Sequence, residues 1–406
     1  MDMLRQERYA ELIVKKGANV QRGQKVVVRA DIGSATFVRI VVKAAYNAGA
    51  AQVIVNWIDE AVTKMTYLRA DGEVFKSLEP WRVQFFKDYD DARACYIHII
   101  SDDPDLLADV DSERIKDTAK ASGIALAEHR KNIMGNHVRW TIAGVPSVAW
   151  AKKVFPSLSD DEAVEALWEK IMLSSRMNGD ALAAWDEHDA IFKEKVDFLN
   201  KSNFASLRFR NSLGTDITLE LPVGHYWKGG SAPAKDGVTF FPNIPTEEVF
   251  TLPNCFSVNG KVVASMPLVY NGVTIENFEL TFIDGRVVSH KAEKNEETLT
   301  SILDLDEGAR RLGEVALVPH ASPISQMNLL FNSTLYDENA SCHFALGKAY
   351  PMIEGYDNLP QDDAEKRGVN ESITHVDFMF GTADMQIMGM TADGKEVPVF
   401  VNGNWA

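Results

Sequence analysis

Cysteine is scarce in this 406-residue chain: Cys95, Cys255 and Cys342 are an odd number at no ligand-like spacing. That argues against a disulfide framework and against a cysteine-based zinc site, and leaves reduced, mostly buried thiols as the expectation. No stretch approaches the roughly 20 apolar residues that a membrane-spanning helix needs. The opening MDMLRQERYAELIVKKG reads as a charged amphipathic helix without the apolar centre of a secretion signal, so a cytoplasmic protein with no membrane partner is expected. Basic charge is also short, with 42 Lys and Arg against 58 Asp and Glu and a formal net charge of −16. No Lys/Arg cluster is long enough to neutralise phosphates, which argues against nucleic acid as a partner. An acidic surface instead attracts cations, which suits metal ions and protonated peptide amines, although acidity also serves solubility.

What is present is the balance of a soluble globular chain, 46% hydrophobic and 25% charged. At roughly 100 to 200 residues per domain, this length suggests two or three domains, and two are expected. The first half alternates strands and helices: KVVVRAD (25–31), helical ATFVRIVVKAAYNAGA (35–50) and AQVIVNW (51–57), with Gly49 at a helix C-cap. Apolar strands without alternation suggest a parallel sheet buried on both faces. ARACYIHII (92–100) and GIALAEH (123–129) are further strand candidates, and the natural assembly is a doubly wound α/β domain over residues 1–200. Helices follow over about 159–198, opened by Ser159 with Asp160, Asp161 and Glu162 in the first turn. After Asn200-Lys201-Ser202-Asn203 the texture turns to short strands, with hairpin turns at Asn271-Gly272 and Asp284-Gly285. The expected fold is therefore α/β: an N-terminal Rossmann-like parallel-sheet domain and a mixed α+β C-terminal metal-binding domain over 201–406.

Glycine-rich phosphate loops are missing. Asp31-Ile32-Gly33-Ser34-Ala35 carries one glycine where a dinucleotide fingerprint needs several. Gly389 to Lys395 has phosphate-loop spacing, but Glu396 stands where a magnesium-binding hydroxyl belongs and a strand-like VPVFVNG follows. The single-zinc helix signatures and the G-x-S-x-G nucleophile elbow are absent as well.

Four segments of the second half concentrate chemistry. In Thr374-His375-Val376-Asp377-Phe378, a strand would put His375 and Asp377 on one face, as two adjacent ligands or as an ordinary charge pair. In Glu338 to Pro351, a helix over 340–350 with Asn339 as N-cap would put His343 and Tyr350 on one face, two turns apart, unless both are simply core residues. In Asn243 to Phe250, only one of Glu247 and Glu248 can face a given side. In Arg310 to Val318, a helix closed by Gly313, its first turn at Asp304 to Glu307, would place Glu314 at the mouth of a buried strand. A carboxylate there is costly unless paired or bound to metal. Imidazole and carboxylate together suit Zn²⁺, Co²⁺, Mn²⁺ or Mg²⁺. Two such ions about 3.5 to 4 Å apart, sharing a carboxylate, can use six ligands and still admit substrate.

At these residues the chain resembles the M29 family of metallopeptidases, the aminopeptidase T and aminopeptidase S group. Pro242 to Phe250, Glu307 to Ala316, Glu338 to Tyr350 and His375 to Met379 carry the likeness, in order and at the expected separations. The resemblance implies Glu248, Glu314, Glu338, His343, His375 and Asp377 as ligands of two divalent metal ions. Glu314 takes the bridging role, and Tyr350 contacts the reacting carbonyl or tetrahedral intermediate. It also implies a homodimer acting on peptides with a free N-terminus. A water or hydroxide bridging the two ions would attack the first peptide carbonyl, with Glu247 or Glu314 relaying the proton. A metal-dependent phosphoesterase is the rival enzyme, with Arg310, Arg311 and Lys348 as its candidate cations. A nucleotide-binding first domain with a structural acidic cluster is the non-enzymatic rival. His98 reads as a core histidine, His290 and His320 as surface or supporting residues, and His225 as part of an aromatic loop.

Overall fold

The computed structural model of the chain describes residues 2–270 and 272–406. It has two compact units, Met1–Glu187 with Ser231–Pro245 and His188–Gly230 with Thr246–Ala406. Among the described residues no helix is long and apolar enough to cross a membrane, and all three cysteines are buried free thiols.

The first unit is the expected α/β layer structure. Helix α1 (Met3–Leu12) precedes strand β1 (Lys25–Asp31), helix α2 (Ala35–Asn47) and strand β2 (Gln52–Ile58). Strands β3 (Cys95–Ile100) and β4 (Trp140–Gly144) follow, and the parallel sheet runs β2-β1-β3-β4, with Asn243–Ile244 at the far edge. The β-branched run of β1 buries Val26, Val27 and Val28 completely. Helix α2 buries Phe37, Val38, Val41 and Ala45, an i, i+4, i+8 stripe, and ends where Gly49 adopts φ +99°. At the end of β1 the Asp31 carboxylate accepts the Gly33 N–H at 2.7 Å, the kind of amide a phosphate loop would offer to its ligand. GIALAEH is helical rather than extended. It straddles helices Ser112–Ala125 and Ala127–Met134, where Ala, Leu and Glu favour helix and, among the described residues, no strand pairs with them. Helix α3 (Asp160–Ser174) starts at the Ser159/Glu162 capping box, and α4 (Ala181–Ser202) ends at the expected boundary segment. Both unit limits at Glu187 and His188 fall inside α4.

The first unit also carries a buried polar knot. Asp90 accepts from His129 Nδ1 at 2.9 Å, from Asn132 Nδ2 at 3.0 Å and from the Tyr96 hydroxyl. Burial works to raise its pKa, but these three donors outweigh it and hold the carboxyl below the usual range. A depressed folded-state value contributes stability above the ordinary carboxylate range and loses it as pH falls through the folded value. Asp90→Asn is therefore expected to destabilise the first unit by about 1–2 kcal/mol near pH 7. Urea melts at several pH values should show the gap to wild type closing toward acid.

In the second unit an antiparallel sheet contains the long hairpin Val273–Ile283 and Arg286–Lys294, turned at Asp284 (φ +48°) and Gly285 (φ +77°). Asn271 of the other expected turn lies outside the described residues, and the strands around it, Leu268–Tyr270 and Val273–Ile283, pair antiparallel. Gly389 to Lys395 links the antiparallel strands Gln386–Met390 and Glu396–Val401 and is a hairpin connection. A separate sheet holds β5 (Val249–Thr251), β6 (Leu312–Leu317), β7 (His343–Gly347) and β8 (His375–Met379), in the order β8-β7-β6-β5 with Lys228–Gly229 outside β5.

Two expectations fail in this sheet. Residues 343–347 form strand β7 and not a helix. Its burial on both faces removes the alternation that would have marked it as extended. The segment before Glu314 is likewise not a helix closed by glycine. The helix Glu296–Leu303 ends at Asp304, one short 3₁₀ turn spans Gly308–Arg310, and Gly313 lies inside β6. A side chain at Gly313 would put its Cβ 2.3 Å from the Gly347 carbonyl oxygen, so this glycine serves the close approach of two strands.

Candidate metal centre

Strand pairing assembles the centre. Across β6, β7 and β8, one lateral row reads Glu314, Ala345, Asp377, and the next reads Ala316, His343, Met379. His375 stands opposite Gly347 on the same face. Alternation sends Val315, Leu317, Phe344, Leu346, Val376 and Phe378 to the other face, into the main core. Phe344 there stacks on Phe380 with centroids 4.1 Å apart. The functional face is thus polar where the ligand types sit and small between them, at Ala316, Ala345 and Gly347.

Five of the residues named from sequence meet here. His343 Nε2 is 3.2 Å from Glu248 Oε2, His375 Nε2 is 3.2 Å from Glu314 Oε2, and His375 Nε2 is 3.3 Å from Asp377 Oδ1. Their donor atoms form two groups, Glu248/Glu314/His343 and Glu314/His375/Asp377, each within 4.8 Å, and Glu314 belongs to both. Both rings use Nδ1 on a backbone carbonyl, His343 on Ser341 at 3.1 Å and His375 on Lys348 at 2.7 Å. That leaves each Nε2 turned into the pocket, the supporting arrangement that orients an imidazole toward a metal.

The remaining candidates lie around this core. Glu338, half-buried in a 3₁₀ turn, senses the charges of Glu248, Asp377, His343 and Glu314 but falls outside both groups. Tyr350 lies T-shaped against His375 at 5.4 Å and against Phe250 at 5.8 Å. Glu247 is turned away, its carboxylate 3.8 Å from His188 Nε2. Asn339, expected as an N-cap, is wholly buried and accepts the Glu247 N–H. His188 went unnoticed in the sequence because nothing in the pattern of α4 distinguishes it from other polar positions.

The electrostatics show a pocket short of positive charge. Burial, then Asp377 and Glu248, push Glu314 up to about 7 against the His375 hydrogen bond. Burial and the neighbouring carboxylates push Glu338 well above the usual range. Burial would lower both histidines, but Glu248 lifts His343 to about 10, and Asp377 with Glu314 lifts His375 to about 12. Asp377, though buried, is held low by His375. Four carboxylates facing two imidazoles in a buried pocket call for added cationic charge, and the donor set fits a divalent ion. Desolvation of its hydroxyl end and the same carboxylates raise the Tyr350 phenol well above its ordinary value, although the residue as a whole is exposed, so it keeps its proton and can donate. The cations that a phosphoesterase would use are engaged elsewhere: Arg310 pairs with Asp304, Arg311 donates to the Cys255 carbonyl at 3.1 Å, and Lys348 pairs with Glu371 at 3.3 Å.

A buried sheet face offering imidazole and carboxylate donors around a shared glutamate is the chemistry of a metal-dependent hydrolase. The M29 pattern, described as thermophilic metalloprotease, matches residues 4–405. Aminopeptidase AmpS of Bacillus subtilis (strain 168) is 48% identical over 400 residues, covering 98% of this chain and 97% of its own. Aminopeptidase 2 of Geobacillus stearothermophilus is 47% identical over 402 residues, at 98% and 97% coverage. The solved structure of wild-type AmpT from Thermus thermophilus matches with a TM-score of 0.93 at 37% identity, over 99% of both chains. The chain belongs to the M29 family of metallopeptidases.

Ala345 tests the face directly, because its methyl group leaves the space between Glu314 and Asp377. Ala345→Leu is expected to abolish metal uptake, read by elemental analysis after dialysis, at a stability cost of about 1–3 kcal/mol.

Proposed function

We propose that this peptidase removes single residues from peptide N-termini, with the second unit as its catalytic domain. In this reading Glu248, Glu314, Glu338, His343, His375 and Asp377 hold two divalent ions of the Zn²⁺, Co²⁺, Mn²⁺ or Mg²⁺ type. The observation that carries it is the double membership of Glu314, which gives two ligand groups one common carboxylate. When bound, such a pair of ions polarises a scissile carbonyl and makes water nucleophilic at neutral pH.

The chain's own groups supply the rest. The protonated Tyr350 hydroxyl donates to the oxyanion that develops as the carbonyl becomes tetrahedral. Glu247 and Glu314 are the two carboxylates considered for proton transfer: Glu247 lies beside His188, and Glu314 faces the pocket but as the shared ligand would commit its oxygens to the ions. A free α-amino group recognised by a carboxylate or by one of the ions would make the enzyme an exopeptidase. We infer a homodimer from the family resemblance.

The test is hydrolysis of a short peptide, with a free or an acetylated N-terminus, by chelator-treated protein before and after metal is returned. Release of the first residue from the free peptide alone, restored at two ions per chain, is expected. No cleavage with any metal would sink the reading. Tyr350→Phe is expected to lower kcat by about 100-fold with little change in KM. Glu314→Gln should lose metal and activity together, whereas a Glu247→Gln variant that keeps its metal but loses kcat would assign the proton relay to Glu247.

A further inference from the structure

We propose that His188 and Asn339 are positioning residues that hold the Glu248 carboxylate on the metal face by gripping one peptide plane from both sides. This rests on the reading of Glu248 as a metal ligand. Residues 246–248 belong to no helix or strand, since β5 begins at Val249. Without ladder hydrogen bonds, such a segment needs other partners to fix the direction of its side chains.

The peptide between Thr246 and Glu247 has them. Its carbonyl accepts from His188 Nε2 at 2.9 Å, and its N–H donates to Asn339 Oδ1 at 2.6 Å. The His188 ring is steadied by Phe192, one turn along α4, T-shaped at 4.5 Å. The Asn339 amide is oriented by donating to the Leu335 carbonyl at 2.8 Å, and its Nδ2 also lies 3.5 Å from Glu338 Oε1. Thr246, His188 and Asn339 are all buried, at 5%, 8% and 0% exposure, so water does not compete for these bonds. With that plane held, Glu247 is directed toward α4 and the next side chain, Glu248, reaches His343. Rotation of the plane would strand a buried carbonyl and a buried amide at once.

The experiment measures Co²⁺ affinity of the full chain, by competition with a chromophoric chelator, for wild type, His188→Leu, His188→Gln, Asn339→Ala and Glu248→Gln. Melting of the metal-free proteins reports folding. His188→Leu and Asn339→Ala are expected to bind 10- to 100-fold more weakly, while His188→Gln, which can still donate to the Thr246 carbonyl, stays within about threefold of wild type. At saturating metal, kcat of His188→Leu should return to near wild type. Wild-type affinity in a folded His188→Leu or Asn339→Ala overturns the proposal, as does equal loss in His188→Leu and His188→Gln. Should His188→Leu not fold, Asn339→Ala carries the test. Undiminished affinity in Glu248→Gln overturns the ligand reading itself, whereas loss in Glu248→Gln without loss in His188→Leu overturns this inference alone.

Discussion

The crowding of carboxylates against two imidazoles on a buried sheet face is the constraint on which the second unit turns. Each ionised carboxylate taken out of water carries a penalty of several kcal/mol unless opposite charge meets it. In the metal-free chain the histidines meet part of it by holding their protons, and Glu314 meets part by moving toward neutrality. Neither device satisfies the whole set, and the divalent cations proposed for this face would supply the charge it lacks.

The rest of the unit can be seen as what keeps that face in place. Phe344, Val376 and Phe378 anchor the reverse side of the same strands in the apolar core. Sheet register therefore sets the metal face with the stability of the core behind it. Glu314, His343, His375 and Asp377 come from paired strands and inherit that precision. Glu248 and Glu338 come from irregular or single-turn segments outside that ladder. Asn339 touches both of those segments, through the Glu247 amide and toward Glu338.

Much of this was legible because period and spacing survive folding. The βαβ start over residues 25–57 was plain, since valine-rich strands flank an amphipathic helix that ends before Gly49. The two-residue spacing of His375 and Asp377 correctly anticipated a strand with both on one face. Residues 340–350 were misread because a strand buried on both faces shows no alternation, and alanine, leucine and a following proline mimic a helix. Residues 123–129 were misread in the opposite sense, short apolar runs being ambiguous when no partner strand is visible in the sequence.

By itself the sequence determined the chemical repertoire: reduced thiols, an acidic surface, no phosphate loop, and glutamate, aspartate and histidine as the donors available in its second half. Those follow from side-chain identity, which folding does not alter. Only the tertiary structure decided which donors meet. Glu247 and Glu248 are indistinguishable as neighbours in the chain, yet one lies beside His188 and the other beside His343. Glu314 becomes common to two groups because strands more than 20 residues apart in sequence pair in one register. The physical reason is that donor geometry depends on long-range pairing and on which face of a sheet the core covers, and neither is a local property of the chain.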